Sequence, residues 1–304
     1  MGSLQSIEAL ISVVPVPELG PDVYTNDKPL TSQEGKRFVF GGSLVGQAVS
    51  AATSTVPPGF RLYSSQSSFL KAANATEKVT YRVERTADGR VYTTRTVHAM
   101  QGTVCVYVAV VSFQNVDTPV GKVLEYGTPM PDLGGRGPED IEVDNVQKFQ
   151  ASIVDPSVPL LQLGAEERAF DFRPLGMEMS SQPSQFRIRT FVRAPPLSTR
   201  DPFVHLAALA YLSDEFSFGP ALAANPRAVG KGMRNVAMGA SLTHNVSFHN
   251  PLAMVDEWML IERKTSWGAE GRVLVYQRLW NLKSGQLVLS GTQEAVVRLK
   301  DTKL

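Results

Sequence analysis

The chain has very little cysteine and almost no net charge. Its one cysteine, Cys105, excludes an internal disulfide and is typical of proteins kept in a reducing compartment. Cys105 lies in the apolar run 104–111, where we interpret it as a small strand residue rather than as a nucleophile. The formal net charge of +1 gives no electrostatic basis for nucleic acid or an anionic membrane as the main partner.

The sequence also lacks an apolar segment of membrane-spanning length. The longest run, 104–111, is far shorter than the roughly 20 residues that a membrane helix needs, so no integral membrane segment is predicted. The first residues carry no basic region ahead of an apolar run, so no secretory signal is predicted. The last residues, Thr302-Lys303-Leu304, approximate the Ser-Lys-Leu peroxisomal signal, which predicts a peroxisomal location, with a cytoplasmic one as the alternative.

Several common catalytic and binding motifs are missing. The four histidines are not spaced as metal ligands, and one cysteine cannot complete such a set, so we predict neither a metal site nor a cofactor. No Gly-x-Ser-x-Gly nucleophile elbow occurs. The pair Gly41-Gly42 lacks both the lysine of a phosphate-binding loop and the spacing of a dinucleotide-binding loop. Nucleotide binding through either loop is therefore not expected.

What the sequence does contain is one structural unit used twice. In each half, a helix rich in small or apolar residues is followed by segments with strand patterns. The Pro- and Gly-rich stretch 117–164 separates the halves and is predicted to be a linker. We predict an α+β fold with two antiparallel sheets, each wrapped around a central helix. The predicted helices are 44–55 and one within 201–219, and the predicted strands are 61–70, 79–85, 91–100, 104–114, 169–173, 185–193, 238–249, 257–267, 273–281 and 287–299.

The helix of the second half contains an acid that needs an explanation. Asp201 followed by Pro202 is a typical helix start, and the residues 204–212 are almost all apolar, which is typical of a buried helix. Asp214 falls at helical spacing from Ala210, on a face expected to point into the protein. Because a buried carboxylate is costly without partners, Asp214 is a candidate functional residue. The alternative is a residue of the last helical turn that reaches solvent.

The last predicted strand carries one polar residue on its apolar side. Gln293 alternates in phase with an apolar set, and its amide must find partners inside the protein or on a ligand. Such an amide can hold a water molecule or a carbonyl group without a change of charge. The alternative is an amide satisfied by neighbouring backbone. The apolar set consists of Leu287, Leu289, Gly291, Ala295, Val297 and Leu299.

The strand that begins at Met238 has a different distribution. His244 alternates in phase with the apolar residues, whereas Ser241 falls in the polar phase. A lone inward histidine is more often a hydrogen-bonded core residue than a base. On parity alone, Ser241 lies on the outer face of this strand.

Short motifs in both halves, in the same order and spacing, resemble those of the acyl-CoA thioesterase II family, whose members have a double hotdog fold. The resemblance implies an N-terminal hotdog over 1–116 with an irregular lead-in, the linker 117–164, and a C-terminal hotdog over 165–304 that carries the catalytic residues. The matching motifs are Phe40-Gly41-Gly42-Ser43-Leu44-Val45-Gly46-Gln47-Ala48, Phe69-Leu70, Asp88-Gly89-Arg90, Thr94-Arg95-Thr96-Val97, Gln101, Ser112-Phe113-Gln114, Leu209-Ala210-Tyr211-Leu212-Ser213-Asp214, Ser241-Leu242 with His244, Phe248-His249, Glu257-Trp258, Gly271-Arg272, and Gln293-Glu294 with Arg298.

The resemblance implies a thioester hydrolase whose catalytic residues are Asp214, Ser241 and Gln293. These would orient a water molecule that attacks the thioester of an acyl-CoA or a carrier-bound acyl group, and backbone N–H groups at a helix start, near Gly42 in the other half, would stabilise the oxyanion. Ser241 rests on the resemblance alone, unless a β-bulge reverses its direction. The chain is also expected to be able to form a homo-oligomer. The residues expected to bind substrate are Gly41, Gly42, Gln66, His244 and Arg272.

Three departures from the family pattern leave the substrate open. Gln66 replaces a histidine, Ala87 an arginine and Thr243 an aspartate, and all three are expected to line or support the substrate site. Two other functions remain possible for such a fold. One is an acyl-CoA hydratase or dehydratase, which requires a His/Asp acid–base pair, and the other is a non-catalytic acyl-binding protein.

Overall fold

The computed structural model describes residues 6–28, 30, 37–119, 121–141, 169–230 and 233–300. Within these residues the chain forms one antiparallel sheet of twelve strands around two long helices. The helices are α1 Ile7–Ile11, α2 Gly41–Thr53, α3 Pro202–Asp214, α4 Gly219–Ala223 and α5 Pro226–Val229. The strands are β1 Val13–Pro15, β2 Val23–Asn26, β3 Phe60–Phe69, β4 Thr80–Asp88, β5 Tyr92–Gln101, β6 Val104–Asn115, β7 Asp171–Glu178, β8 Arg187–Arg193, β9 Val236–Phe248, β10 Met259–Ala269, β11 Arg272–Asn281 and β12 Leu287–Leu299.

The strand order, β1-β2-β4-β5-β6-β3-β9-β12-β11-β10-β8-β7, is the same unit repeated outwards from the middle. In each half the central helix precedes the innermost strand, β3 or β9, and a three-stranded meander follows it. β3 and β9 pair with each other, from Ser64 opposite Ser247 to Ser68 opposite Thr243. The predicted α+β fold and its duplication are confirmed. The two predicted sheets are halves of one sheet, because β3 and β9 form a backbone ladder.

The helices α2 and α3 run antiparallel and in close contact on the inner side of the sheet. A Cβ atom added to Gly42 would lie 2.7 Å from the carbonyl oxygen of Tyr211, and one added to Gly46 would lie 3.2 Å from that of Ala207. The two glycines therefore permit the close approach. This packing brings the start of α2 to the end of α3.

The start and the burial of α3 agree with the prediction. The Asp201 side chain accepts a hydrogen bond from the Phe203 N–H at 3.0 Å, as a helix cap does. Every residue from His205 to Asp214 is buried, as expected for a helix without a polar face.

Some boundaries differ from the prediction. α2 begins at Gly41 rather than at residue 44, so that the two glycines form the first turn of the helix. The short helices α4 and α5 were not predicted, since each is too short to display a helical period. In the described part of the predicted linker, 117–141 without residue 120, the one helical turn is a short 3₁₀ segment, Pro138–Asp140.

The predicted division into three segments stays a prediction, and residues 142–164 of the linker lie outside the described residues, as does the C-terminal tripeptide. No helix among the described residues is long and apolar enough to cross a membrane.

Candidate active site

Asp214 is the last residue of α3, and only 4% of its surface is exposed. Its Oδ1 atom accepts a hydrogen bond from the Nε2 atom of Gln293 at 2.7 Å. The carboxylate also receives hydrogen bonds from the backbone N–H of Gly42 and from the hydroxyl of Ser241. The prediction of a buried acid is confirmed, and the alternative of a solvent-exposed last turn is wrong.

A β-bulge brings Ser241 to this carboxylate. Opposite β12, Thr243 faces Glu294 and Ser241 faces Ala295, so that Leu242 is the extra residue of β9. Because one extra residue reverses the alternation of side chains, Ser241 points to the inner face together with Gln293. The parity-based expectation that Ser241 lies on the outer face is therefore wrong, and the reason is the bulge.

Gln293 joins the two oxygen-bearing side chains. Its Nε2 atom donates to Asp214 Oδ1 at 2.7 Å and to Ser241 Oγ at 2.6 Å. Its Oε1 atom is buried and has no hydrogen-bond partner among the described residues. The alternative of an amide satisfied by backbone is therefore wrong. The remaining acceptor is available to a donor such as water.

The start of α2 supplies the third side of this site. The first N–H groups of a helix have no partner inside the helix and carry partial positive charge. The N–H of Gly42 points at the Asp214 carboxylate, whereas it was expected to serve as an oxyanion donor. Gly41 provides the space for this contact, since a Cβ atom there would lie 2.6 Å from Asp214 Oδ2 and 3.0 Å from the Phe69 ring.

Burial dominates the electrostatics of Asp214. It raises the pKa of the carboxyl group from its ordinary value of 3.8 to about 7. The hydrogen bond from Gln293 and the positive charge of Arg263 act in the opposite direction, as do the hydrogen bonds from Gly42 and Ser241. An acid with a pKa near neutrality can take up and return a proton at physiological pH.

His244 lies on the same inner rung as Gln293 but has a different partner. Its side chain is fully buried, and its Nε2 atom lies 3.0 Å from Ser213 Oγ. The Ser213 hydroxyl donates to the Ala210 carbonyl, so the Nε2–H of His244 is the donor to Ser213. Burial lowers the pKa of His244 to about 4, so the ring is neutral near pH 7. These contacts agree with the interpretation of His244 as a hydrogen-bonded core residue.

The structure does not bring Gln66 and Arg272 to this site. Gln66 lies on the outer face of β3, opposite Asn245. Arg272 lies on the outer face of β11, where it pairs with Glu294 at 3.0 Å and covers the Trp267 ring. Gln66 and Arg272 therefore lie on the opposite face of the sheet from Asp214, because the alternation of their strands points them away from the helices, and their role in substrate binding stays a prediction.

The outer face near Gln66 forms a shallow polar groove of about 610 Å³, on the opposite side of the sheet from Asp214. Of the other departures from the family pattern, Thr243 also points outwards, opposite Glu294. Ala87 offers only its carbonyl oxygen, to Arg95 at 3.2 Å. None of the three replaced positions contacts Asp214, and their role in lining or supporting the substrate site stays a prediction.

Two buried polar residues near Asp214 were not predicted. Arg263 of β10 and Gln277 of β11 face each other on the inner side of the sheet, next to the end of α3. The parity rule that selected Gln293 would have selected Gln277, which alternates in phase with Val275 and Leu279.

Known proteins share this arrangement of elements. A family model described as the acyl-CoA thioesterase N-terminal domain matches residues 30–114, and one described as the acyl-CoA thioesterase C-terminal domain matches residues 144–297. Acyl-coenzyme A thioesterase 8 of Mus musculus is 29% identical over 98% of this chain and 91% of its own length. Peroxisomal acyl-coenzyme A thioester hydrolase 1 of Saccharomyces cerevisiae is 23% identical over 97% of this chain and 95% of its own.

Solved structures agree on the fold. The crystal structure of acyl-CoA thioesterase II TesB2 from Mycobacterium marinum superposes with a TM-score of 0.73, at 23% identity, over 98% of this chain and 99% of that one. The family models together cover more than half of the chain, and the shared fold is the double hotdog that the sequence motifs implied. The chain therefore belongs to the acyl-CoA thioesterase II family and is a thioesterase with a double hotdog fold.

Proposed function

We propose that the chain hydrolyses acyl-CoA thioesters to a free acid and CoA, with a water molecule activated by Asp214, Ser241 and Gln293. The observation that carries this proposal is the buried contact between Asp214 and Gln293, with Ser241 on the same amide nitrogen. The similar mouse and yeast proteins are acyl-coenzyme A thioesterases, which supports CoA as the thiol carrier.

The free acceptor of Gln293 gives the water molecule its orientation. A water molecule between Asp214 and Gln293 Oε1 donates one hydrogen bond to each, and its lone pair is then directed at the thioester carbonyl carbon. Asp214 takes one proton as the O–C bond forms. The tetrahedral intermediate collapses with cleavage of the C–S bond, and the proton passes to the departing thiolate. No acyl-enzyme is needed, because water itself is the nucleophile.

The hydrogen bonding of His244 is an argument against the hydratase or dehydratase alternative. That chemistry requires a histidine paired with an acid, whereas the Nε2 atom of His244 is bonded to Ser213 and the neutral ring has a pKa of about 4. The non-catalytic alternative leaves unexplained why a costly buried carboxylate is held with a pKa near 7.

The decisive test is thiol release by the purified protein and by Asp214→Asn. The substrates are acetyl-, hexanoyl- and palmitoyl-CoA, and the released CoA is followed with a thiol reagent. Because the variant loses the general base but keeps the volume of the side chain, we expect kcat to fall by about 10² to 10⁴. Asp201→Asn is the matched control: it makes the same substitution at the start of the same helix, where asparagine also caps well, and should retain wild-type turnover.

Each alternative has its own outcome in this assay. A hydrated or dehydrated product with the thioester intact supports the hydratase or dehydratase, and saturable binding without turnover supports the acyl-binding protein. Full activity of Asp214→Asn would reject the assigned base. The same acyl groups on a carrier protein test whether the thiol carrier is a protein.

We also propose a peroxisomal location and the assembly of two or more copies of the chain. A peroxisomal location rests on Thr302-Lys303-Leu304 and on the similarity to the yeast peroxisomal enzyme, and deletion of the tripeptide from a fluorescent fusion tests it. Assembly of two or more copies is tested by light scattering.

A further inference from the structure

Arg263 is a buried cation beneath the catalytic helix. Only 5% of its surface is exposed. Its Nη2 atom donates to the Leu212 carbonyl at 3.4 Å, and its Nε atom donates to Gln277 Oε1 at 3.3 Å. Burial lowers the pKa of Arg263 to about 10, which leaves it protonated near pH 7, and the negative charges of Glu215 and Asp214 act against that shift.

Gln277 extends this contact to the next carbonyl of the helix. Its Nε2 atom donates to the Ser213 carbonyl at 2.7 Å. Gly291 is its neighbour on β12, where a Cβ atom would lie 2.7 Å from the Asn245 carbonyl oxygen, so glycine is required there by the backbone of β9. The backbone carbonyls of Leu212 and Ser213, which immediately precede Asp214, therefore both accept hydrogen bonds from side chains of the sheet.

Arg263 and Gln277 contact α3 at its C-terminal end, where the catalytic candidate Asp214 is the last residue. The last carbonyls of a helix have no partner within it and carry partial negative charge. At the end of α3 this charge lies beside a carboxylate, which it disfavours. A cation at the same place is favourable for both the helix end and the acid.

We infer that Arg263 and Gln277 are positioning residues for Asp214: both hold the last turn of α3, and the guanidinium supplies the positive charge that offsets the burial of the carboxylate. This inference rests on the proposed function for its kinetic consequence. Arg263 lowers the pKa of Asp214, which agrees with the geometry.

Other groups also face Asp214 and contribute to the pKa that the pH profile of kcat/KM reports. Gln293 approaches from β12, Ser241 from β9 and the Gly42 N–H from α2. Tyr107 of β6 is within electrostatic range, as is Tyr211 of α3 itself. Among the described residues that lower the pKa of Asp214, Arg263 carries the positive charge.

The test measures the pH dependence of kcat/KM for Arg263→Met, with hexanoyl-CoA as the probe. Loss of the positive charge makes the Asp214 carboxyl protonate at higher pH, so the acid limb of the kcat/KM profile shifts to higher pH. We expect about a tenfold lower kcat/KM near pH 6 and a smaller loss near pH 8.5. Below the pKa of the base, the deprotonated fraction falls tenfold when the pKa rises by one unit. Arg263→Lys should restore most of the wild-type profile. Gln277→Leu keeps the charge, so it should lower kcat and leave the limb in place.

Arg95→Met is the matched control. Arg95 is the fully buried arginine of the other half, donates to Thr55 Oγ1 at 2.8 Å just after α2, and pairs with Asp88 at 2.6 Å. Its removal should cost stability without moving the limb.

A second readout needs no substrate. The carboxyl ¹³C resonance of Asp214, identified by its loss in Asp214→Asn, should titrate at higher pH in Arg263→Met than in the wild type. An unchanged titration, or one that Arg263→Lys moves equally far, would overturn the inference. If Arg263→Met does not fold, Arg263→Gln is measured instead, with the same criteria. A wild type that releases no thiol would instead reject the proposed function, and the titration would still decide this inference.

Discussion

The two halves of the sheet share an architecture but differ at the inner rung that carries the proposed chemistry. In the second half, Phe248 of β9 faces Leu289 of β12, and four residues along each strand His244 faces Gln293. Two polar side chains thus meet on the inner face of the sheet, and both contact the last turn of α3, Gln293 at Asp214 and His244 at Ser213.

The corresponding rung of the first half has no such amide. Phe69 of β3 faces Tyr107 of β6, and four residues along each strand Ser65 faces Val111. Val111 is therefore the counterpart of Gln293. Since valine can neither donate nor accept a side-chain hydrogen bond, Val111 cannot take the role that we propose for Gln293 in orienting a water molecule.

The two halves also differ in the strand beside this rung, β5 or β11, and in the last residue of the central helix. Val111 pairs with Arg95 in β5, whereas Gln293 pairs with Val275 in β11. Each central helix has thirteen residues, and the last is Thr53 in α2 and Asp214 in α3. The buried charged residue beside Val111 is therefore an arginine, which pairs with Asp88, whereas the one that contacts Gln293 is an acid with a pKa near 7.

Both halves therefore contribute to the candidate active site around Asp214. The second half supplies the acid, the amide and the hydroxyl, and the first half supplies the start of α2. The first half therefore lacks the amide of this rung and still contributes to the proposed site. The antiparallel packing of α2 on α3 enforces this division, because it brings the start of one helix to the end of the other.

The largest effect is expected from making the second rung resemble the first. Gln293→Val removes the amide that holds Asp214 and Ser241, so we expect kcat for acyl-CoA hydrolysis to fall by about 10² to 10³, as when a preorganised donor is removed. The reciprocal change, Val111→Gln, should leave kcat within about twofold and cost about 1–3 kcal/mol of unfolding free energy, because the new amide is buried without a partner. Equal losses of kcat in both variants would contradict the assignment of chemistry to one rung.

Much of this comparison could be predicted from local patterns. The buried helix with its acid and the phase of Gln293 depend on spacing along one element, and the structure agrees with both. The boundaries of β12 are those predicted, because its alternation continues from Leu287 to Leu299. Such features need no knowledge of neighbouring strands.

The remainder depends on pairing between strands. The bulge at Leu242 is set by the register of β9 against β12, so alternation along β9 alone gave the wrong face for Ser241. Gln66 shows the converse: the family pattern selected its position, but the alternation along β3 directs its side chain to the outer face of the sheet. The contact between Gly42 and Asp214 joins residues far apart in sequence, and no local pattern contains it.

An intermediate effect is expected from the glycine at the contact between the halves. In Gly41→Ala the new methyl group would lie 2.6 Å from Asp214 Oδ2 and 3.0 Å from the Phe69 ring, so the carboxylate must move. Because displacement of a catalytic group by about 1 Å can cost about a hundredfold, we expect kcat to fall by about 10- to 100-fold with normal folding. Gly127→Ala is the control, since its Cβ atom would meet no atom within 4 Å. Wild-type turnover in Gly41→Ala would show that the first half does not constrain the acid.

The smallest effect concerns stability and depends on pH. The pKa of Asp214 in the folded protein is about 7, above its ordinary value of 3.8, so the folded state binds this proton more tightly than the unfolded state. The resulting stability is fully present below about pH 4 and is lost as the pH rises through about 7. Asp214→Asn does not titrate, so between about pH 5 and pH 8 its unfolding free energy should rise by about 2 kcal/mol relative to the wild type. Urea unfolding at several pH values measures this difference. A difference that stays constant with pH would mean that the acid is not held near neutrality, and the acid that distinguishes the second half would then be an ordinary carboxylate.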